Sequence, residues 1–180
     1  MITGAAGFIG SHLCDEALSQ GWRVIGLDNF FRGKKEYLPV HDNFIFEGMD
    51  LLNMENLKFT IKEYKPDVII HYAAINGTEY FYEKPWQVLE NNISTTMNLL
   101  KALEETNFFP EKLVYASSSE IYGEFPTNIP TSEDNLIALD IGAVRDSYAS
   151  SKAIDEFLVK NFCDDNNISF LILRIFNTYG

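Results

Sequence analysis

The sequence has few cysteines and few histidines. Its 180 residues include only Cys14 and Cys163, which lie far apart in apolar helical patterns. We therefore interpret both as small buried side chains rather than as a redox pair. His12, His41 and His71 show no metal-ligand spacing among themselves or with the cysteines. We predict that the chain has no metal site.

Basic residues and long apolar runs are also scarce. There are 14 Lys and Arg against 26 Asp and Glu, which gives a formal net charge of −12. Nucleic acids and anionic membranes bind concentrated positive charge, so we expect neither as a partner. No apolar run reaches membrane-spanning length, and the first residues lack the pattern of a signal peptide. We expect a cytoplasmic protein.

What the sequence does contain is a regular alternation of strand and helix patterns. Apolar, β-branched segments predict strands at 23–27, 43–47, 67–72, 112–117 and 169–176, and amphipathic segments predict helices at 8–20, 54–65, 85–107 and 147–166. Asn53 is placed to cap the second helix, and Pro85 suits the first turn of the third. The segment 123–146, rich in Pro, Thr and Asn, is predicted to be a loop. This alternation predicts one α/β domain over residues 1–180, with a doubly wound, Rossmann-like parallel sheet.

The first strand of this sheet is expected to be short. Only Met1, Ile2 and Thr3 precede a glycine-rich turn, whereas strands in globular proteins usually have about 5–6 residues. Because the first strand of a doubly wound sheet is central, we describe it as clipped.

The glycine-rich turn predicts a dinucleotide site. Gly4, Gly7 and Gly10 stand three residues apart between a strand and a helix. The first permits a tight turn, the second lets backbone N–H groups approach a pyrophosphate, and the third lets helix and strand pack closely. Asp28 ends the next strand, where a carboxylate binds the adenosine ribose, and it favours NAD over NADP. The nearby Arg32 leaves accommodation of a 2′-phosphate open.

A second motif places Tyr148 and Lys152 on one face of a helix. A tyrosine that acts as a base near pH 7 must ionise about 3 pH units below its normal pKa, at roughly 4 kcal/mol. One cation at about 4 Å supplies roughly 4 kcal/mol at an effective dielectric constant near 20, so the pair is sufficient. Such pairs are common on ordinary helices, but the upstream glycine turn favours a catalytic base.

A third motif is a serine run at the end of a predicted strand. Ser117, Ser118 and Ser119 are followed by Glu120, and hydroxyl groups at the carboxyl end of a parallel strand face the ligand crevice. The alternative is an ordinary polar loop. A serine hydrolase is disfavoured, because no G-x-S-x-G turn is present.

Together these motifs resemble the extended short-chain dehydrogenase/reductase family, specifically the NAD-dependent epimerase/dehydratase group that acts on nucleotide sugars. The resemblance covers the whole chain. Its motifs are Gly4-x-x-Gly7-x-x-Gly10, Asp28-Asn29, Asp50-Leu51, His71-Tyr72-Ala73-Ala74, Ser117-Ser118-Ser119-Glu120, Tyr148-x-x-x-Lys152 and Arg174-Ile175-Phe176-Asn177-Thr178-Tyr179-Gly180.

The resemblance implies a role for each matched residue. Tyr148 takes a proton from a sugar hydroxyl, usually at C4, and Lys152 binds the nicotinamide ribose and lowers the pKa of Tyr148. Ser118 hydrogen-bonds the reacting oxygen, and Glu120 serves a later acid/base step. Ser118, Ser119 and Asn177 contact the substrate. The residues expected to bind NAD are Gly4, Gly7, Phe8, Ile9, Gly10, Asp28, Asn29, Asp50, Leu51, Ala73, Ala74, Ser117, Tyr148 and Lys152.

The resemblance also implies a second, C-terminal substrate domain, so we expect these residues to be part of a longer, two-part enzyme that is a homodimer through helices 85–107 and 147–166. The leading function is a nucleotide-sugar epimerase or dehydratase. A UDP-glucuronate decarboxylase is an alternative, because those enzymes carry a Ser/Thr-x-Glu pattern like that of Ser118 and Glu120. Alternatives of another class are a non-catalytic dinucleotide-binding protein and a truncated, inactive product.

Overall fold

A single parallel sheet organises the chain. The structure, a computed structural model, describes residues 1–123, 128–137 and 139–179. The sheet has the strand order β3-β2-β1-β4-β5-β6, which is the Rossmann order, and all its neighbouring strands are parallel. The predicted doubly wound fold is therefore confirmed. The strands are β1 (Ile2–Thr3), β2 (Val24–Asp28), β3 (Phe44–Gly48), β4 (Val68–His71), β5 (Lys112–Ser118) and β6 (Ser169–Ile175).

Among the described residues, five α-helices connect the strands, and four of them were predicted. They are α1 (Phe8–Ser19), α2 (Met54–Tyr64), α3 (Thr78–Glu83), α4 (Pro85–Thr106) and α5 (Asp146–Asn166). Asn53 caps α2 as expected, because its side chain accepts a hydrogen bond from the Asn56 N–H at 3.1 Å. The six-residue α3 was not predicted. It begins after Gly77, whose φ of +132° interrupts any helical pattern.

Two sequence motifs extend beyond the described residues. Positions 124–127 and 138 of the predicted loop 123–146 lie outside them, as does Gly180 of the last motif. Just before that loop, Ser119–Tyr122 form a short 3₁₀ turn, and the described part of the loop forms turns before α5.

Apolar side chains cover both faces of the sheet. On one face, α2, α4 and α5 pack buried residues such as Leu57, Leu103 and Val159 against the strands. On the other, Cys14 of α1 packs against Ile2. Full burial raises the pKa of the Cys14 thiol to about 12, and Cys163 is also fully buried. The interpretation of both cysteines as packing residues is confirmed.

The first strand is short, as expected, but it is firmly held. Ile2 and Thr3 pair with β2 on one side and with β4 on the other. The N–H groups of Gly4 and Ala5 then both donate to the Leu27 carbonyl, at 2.8 and 3.1 Å. Pairing on both edges places the glycine turn at the carboxyl end of the sheet, between β2 and β4.

A buried asparagine joins the loop after β4 to two helices. Asn92 is 1% exposed. Its side chain accepts from the Ile75 N–H at 2.7 Å and donates to the Ile75 carbonyl at 3.2 Å and to the Ser151 hydroxyl at 3.1 Å. This one side chain therefore fixes the loop against α4 and α5.

We predict that Asn92→Ala lowers the free energy of unfolding of the full-length protein by about 2–4 kcal/mol, because it leaves both backbone groups of Ile75 buried without partners. Urea unfolding measures the change. Asn161→Ala is the matched control, since Asn161 is exposed and bonds only to its own helix at Phe157. A loss at Asn92 no larger than at Asn161 would contradict the tethering role.

Candidate active site

The glycine turn is held by close backbone contacts. Gly4 has φ +72°, and a side chain there would lie 3.0 Å from the Ala73 nitrogen. A Cβ at Gly10 would lie 1.9 Å from the Gly4 carbonyl oxygen, which no side chain tolerates. Gly7 precedes the first turn of α1 in an extended conformation. The first N–H groups of a helix have no partners within it and attract anions, so this turn could hold a phosphate group.

A cavity of about 360 Å³ opens beside this turn at the carboxyl edge of β1, β2 and β4. Its size falls within the usual range for ligand pockets, about 300–1,000 Å³. Eight residues predicted to bind the cofactor line it, namely Gly4, Gly7, Asp28, Asn29, Asp50, Leu51, Ala73 and Ala74. Residues that were not predicted also line it, and they include Phe31, Arg32, Tyr72, Ile75, Gln87, Asn91 and Thr95.

Acidic side chains form the far wall of the cavity. Asp28 accepts from the Ala6 N–H at 3.0 Å and from the Phe30 N–H at 2.7 Å, one on each carboxylate oxygen. Asn29 donates to Asp50 at 2.9 Å. Since each carboxylate oxygen has further acceptor capacity, Asp28 can still accept from a ligand hydroxyl while it holds the turn.

The short helix α3 closes over this region. The Tyr80 ring contacts Phe31 at a centroid distance of 5.7 Å and has the Arg32 guanidinium 5.9 Å from its centre. On the other side of the helix, Phe81 stacks on Tyr148 at 4.8 Å. The helix therefore connects the cavity to the predicted catalytic tyrosine.

Tyr148 and Lys152 lie together on the buried face of α5. Tyr148 is 7% exposed and Lys152 is 3% exposed. The Lys152 ammonium donates to the Ala116 carbonyl at 2.7 Å and lies 5.8 Å from the centre of the Tyr148 ring. The sequence pattern thus placed the two side chains correctly.

The expected lowering of the Tyr148 pKa is wrong for this structure. Burial raises the pKa of Tyr148 to about 12, and a hydrogen bond with Ser118 offsets only part of that effect. Burial also lowers the pKa of Lys152 to about 8. The sequence argument counted the attraction between phenolate and ammonium but not the cost of removing both from water.

Ser118 and Glu120 stand beside Tyr148. The Ser118 hydroxyl, besides its bond with the phenol, accepts from the Glu120 N–H at 3.2 Å. The Glu120 carboxylate is paired with Arg145 at 3.3 Å, in a half-exposed position. Its partner is therefore an arginine three residues before the tyrosine. The negative charge of Glu120 is close enough to raise the pKa of Tyr148.

The other predicted site residues lie outside the cavity. The Ser117 hydroxyl donates to Glu156 at 2.5 Å, and the same carboxylate holds Arg174 of β6 through two bonds of 3.0 and 2.9 Å. This ion pair fastens α5 to the edge of the sheet. Ser119 starts the 3₁₀ turn, and Asn177 is exposed beyond the end of β6. Phe8, Ile9 and Gly10 form the first turn of α1 behind the glycine loop.

A buried polar network beneath the site was missed by sequence reasoning. The Thr3 hydroxyl accepts from the Tyr72 and Ala73 N–H groups at 3.1 and 3.0 Å. It therefore donates to His71 Nδ1, at 2.8 Å, and this leaves Nε2–H to donate to Thr96 at 3.2 Å. Burial lowers the pKa of His71 to about 3, so the ring is neutral.

The network ends at a buried carboxylate on the catalytic helix. Thr96 donates to Asp155 Oδ2 at 2.9 Å, and the Tyr115 hydroxyl donates to the same oxygen at 2.7 Å. Asp155 is 1% exposed and lies three residues after Lys152. The only signal for it in the sequence was this helical spacing, which by itself does not distinguish a buried carboxylate from a solvated one.

Among the described residues, neither a metal-binding cluster nor a membrane-spanning helix is present. Residues 1–123, 128–137 and 139–179 contain no group of three His, Cys, Asp or Glu side chains arranged to hold a metal ion. Within the same ranges, no helix combines the length and the apolar character needed to cross a membrane.

Comparison with known proteins identifies the family. A sequence model of the NAD dependent epimerase/dehydratase family matches residues 1–180. The chain belongs to this family. The resemblance carried by the glycine turn, the serine run and the tyrosine–lysine pair is therefore confirmed.

Relatives of this epimerase/dehydratase chain include a curated UDP-N-acetyl-alpha-D-glucosaminuronate decarboxylase from Bacillus cytotoxicus, 33% identical over all of this chain and 54% of the relative. The UDP-glucose 4-epimerase of Thermotoga maritima, solved with UDP-glucose, superposes with a TM-score of 0.88 at 26% identity, over 99% of this chain and 55% of its own. The UDP-glucose 4-epimerase of Thermus thermophilus, solved with NAD, superposes with a TM-score of 0.84 at 32% identity, over 96% of this chain and 53% of its own. The chain thus spans about half the length of the proteins it matches.

We predict that Gly10→Ala destabilises this epimerase/dehydratase-family protein by about 3 kcal/mol, because the added methyl group drives α1 away from the Gly4 carbonyl. Gly48→Ala is the matched control, since its Cβ would meet only the Phe46 ring at 3.4 Å, an ordinary contact. Urea unfolding of the two full-length variants gives the comparison. Equal stabilities would show that the turn has room for a side chain.

Proposed function

We propose that this chain is the NAD-binding part of a nucleotide-sugar epimerase or dehydratase that oxidises its sugar transiently at C4. The observation that carries the proposal is the meeting of Tyr148, Ser118 and Lys152 at the carboxyl edge of the sheet. Through α3 and the loop after β4, this group adjoins the cavity of the glycine turn. A non-catalytic dinucleotide-binding protein has no need of all three side chains.

The residues around the cavity fit NAD. The turn at Gly4 and Gly7 leaves room and free N–H groups for a pyrophosphate, and Asp28 has acceptor capacity for ribose hydroxyls. A carboxylate at this position repels a 2′-phosphate, which favours NAD over NADP. Arg32, the nearby basic residue that left accommodation of a 2′-phosphate open, lies over the Tyr80 ring at 5.9 Å from its centre. Asn29, Asp50, Leu51, Ala73 and Ala74 are proposed to complete the cofactor site.

In the proposed reaction, bound NAD supplies the hydride acceptor, and its oxidised ring carries positive charge. Tyr148 accepts the proton of the C4 hydroxyl, while Ser118 orients the same oxygen. With a pKa of about 12, Tyr148 needs roughly 7 kcal/mol of added interaction to ionise at pH 7. Because Lys152 is already in place at that pKa, we propose that the added interaction would come from the positive charge of the bound cofactor, with the Lys152 ammonium keeping the site cationic.

A decarboxylase is the second candidate, and Glu120 is the observation that favours it. A plain 4-epimerase re-reduces the ketone and needs no further acid/base group, whereas a reaction that also changes a carbon–carbon or carbon–oxygen bond does. The Glu120–Arg145 pair is 37% and 49% exposed, and such pairs contribute only about 0–1 kcal/mol. Glu120 can therefore leave Arg145 at little cost to act on a substrate.

We predict that Tyr148→Phe lowers sugar-dependent reduction of NAD about 10²–10⁴-fold, the usual effect of removing a positioned base. Glu120→Gln should leave this first oxidation intact. If Glu120 acts in a later step, NADH or a keto sugar then accumulates while the final product falls. Single-turnover absorbance of the full-length protein with UDP-, GDP- and dTDP-sugars measures both.

Tyr64→Phe is the control, because the Tyr64 hydroxyl is likewise hydrogen-bonded to a side chain, Glu47 at 2.6 Å, but lies on α2 outside the site. Oxidation by Tyr148→Phe at the rate of Tyr64→Phe would refute the proposed base. Unchanged product formation by Glu120→Gln would favour the simple epimerase.

We also propose that the complete enzyme is a homodimer through α4 and α5. Both helices carry apolar side chains that this chain leaves uncovered. On α5, Ile154 and Phe157 are 43% and 69% exposed, and Trp86 at the start of α4 is 73% exposed. Apolar groups on adjoining helices are characteristic of a subunit interface.

We predict that Phe157→Asp converts the full-length dimer to a monomer at micromolar concentration, because the new charge would be buried without a partner. Light scattering measures the molecular mass. Phe59→Asp is the matched control, as Phe59 is 65% exposed on α2. A wild-type monomer, or dissociation by both variants alike, would remove α4 and α5 as the interface.

A further inference from the structure

The least expected group in the molecule is the carboxylate of Asp155. It is 1% exposed, and its Oδ1 atom is buried without a hydrogen-bond partner among the described residues. A buried carboxylate is costly unless other charges and donors compensate it. Both donors on Oδ2, Thr96 and Tyr115, bring a hydrogen to that oxygen. Oδ2 is therefore an acceptor for two hydrogen bonds, whereas Oδ1 has none.

The compensating positive charge is the ammonium of Lys152. Tyr115 contacts both groups. Its ring lies 4.8 Å from Lys152 Nζ, and its hydroxyl bonds Asp155 at 2.7 Å. The Tyr115 ring therefore makes a cation–π contact with the ammonium, while the Ala116 carbonyl accepts a hydrogen bond from it. Moving or discharging Asp155 would release the hydroxyl that holds this ring in place.

We propose that Asp155 is a positioning residue for Lys152, which holds the ammonium in place through Tyr115 and keeps it protonated by its own negative charge. The proposal deepens the proposed function, because a protonated Lys152 is what that reaction needs beside Tyr148. The effect of Asp155 on Lys152 itself is independent of any reaction and is measured without substrate.

Several charged or titratable groups face this pair from the surrounding elements. On α5 they are Tyr148 and Glu156, on β5 Tyr115, and on β4 His71. His71 is neutral, and Glu156 is neutralised by Arg174. Asp155 is therefore the negative group near Lys152 that is not already paired with an arginine.

The pKa values have the signs that this arrangement requires. Burial lowers the pKa of Lys152 to about 8, and Asp155 is the largest influence that raises it. Burial raises the pKa of Asp155 to about 6, and Lys152 is the largest influence that lowers it. Between these values the carboxylate and the ammonium are both charged. Removal of Asp155 would therefore lower the pKa of Lys152 toward neutral pH and reduce its protonated fraction there.

The test is a titration of Lys152 in the full-length protein by ¹³Cε-lysine NMR, with Lys152→Arg used to assign its signal. We expect the midpoint of Asp155→Asn to be about one pH unit below that of the wild type, the size of effect that a nearby opposite charge has. Asp155→Glu, which keeps the charge, should stay close to the wild type. Asp165→Asn is the matched control, because Asp165 is an exposed acid on the same helix. An unchanged midpoint in Asp155→Asn overturns the proposal.

If Asp155→Asn fails to fold, the variant Asp155→Leu, Tyr115→Phe removes the carboxylate together with the Tyr115 hydroxyl and keeps Thr96 as the acceptor for His71. The Thr96 hydroxyl can then donate to a carbonyl of its own helix. The same lower midpoint is expected, and a wild-type midpoint overturns the proposal equally.

The pH dependence of NAD reduction gives a second readout. In Asp155→Asn, both the acidic and the basic limb of the profile of NAD-reduction rate against pH should move to lower pH. The reason is that loss of a negative charge lowers the pKa of Tyr148 and of Lys152 alike. A merely structural role would reduce the maximal rate and leave both limbs in place, which would count against the proposal. If the wild type oxidises no nucleotide sugar, the proposed function fails, while a lowered Lys152 midpoint still supports the role of Asp155.

Discussion

The hydroxyl of Thr3 is the contact on which the rest of the site depends. β1 has only two residues, so backbone pairing alone gives it little hold on β4. The Thr3 side chain accepts from two N–H groups at the start of the loop after β4 and donates to His71. These bonds fix the spacing between the glycine turn and Ala73, where a Cβ at Gly4 would lie 3.0 Å from the Ala73 nitrogen. The width of the cofactor cavity is set at this point.

From His71 the same constraint reaches the catalytic helix through Thr96 and Asp155. Each buried polar atom in this series of hydrogen bonds would cost about 1–3 kcal/mol of stability if it lost its partner. The neutral His71 ring accepts a hydrogen bond from Thr3 and donates one to Thr96, so it links the two residues without adding a charge. The ionised end of the network, Asp155, lies where the buried ammonium of Lys152 needs compensation. The geometry of the cavity at the glycine turn and the environment of Lys152 are therefore coupled through one set of hydrogen bonds.

Local spacing allowed much of this to be predicted. The glycines, Asp28 and the pair of Tyr148 and Lys152 depend on residues close together in the sequence or at the ends of strands. Asp155 could not be found this way, because its partners Thr96 and Tyr115 lie 59 and 40 positions away. The helix α3 was missed because six residues give too little periodicity. The sign of the Tyr148 pKa shift was wrong because burial, which a sequence does not reveal, outweighs the hydrogen bond with Ser118 that lowers this pKa.

In the proposed function Tyr148 and Ser118 act in the step that the candidate reactions share, so they cannot distinguish an epimerase from a decarboxylase. Once C4 of a sugar is a ketone, a carboxylate on C5 makes it a β-keto acid, which loses carbon dioxide readily. What that path then requires is a proton for C5, whereas epimerisation requires only return of the hydride to the other face. The group that separates the two reactions must therefore be a second acid near Tyr148. Glu120 is the carboxylate whose charge reaches Tyr148 from the exposed side of the site. Because its pairing with Arg145 is half-exposed, a negatively charged sugar that approached Arg145 would release Glu120 as it bound.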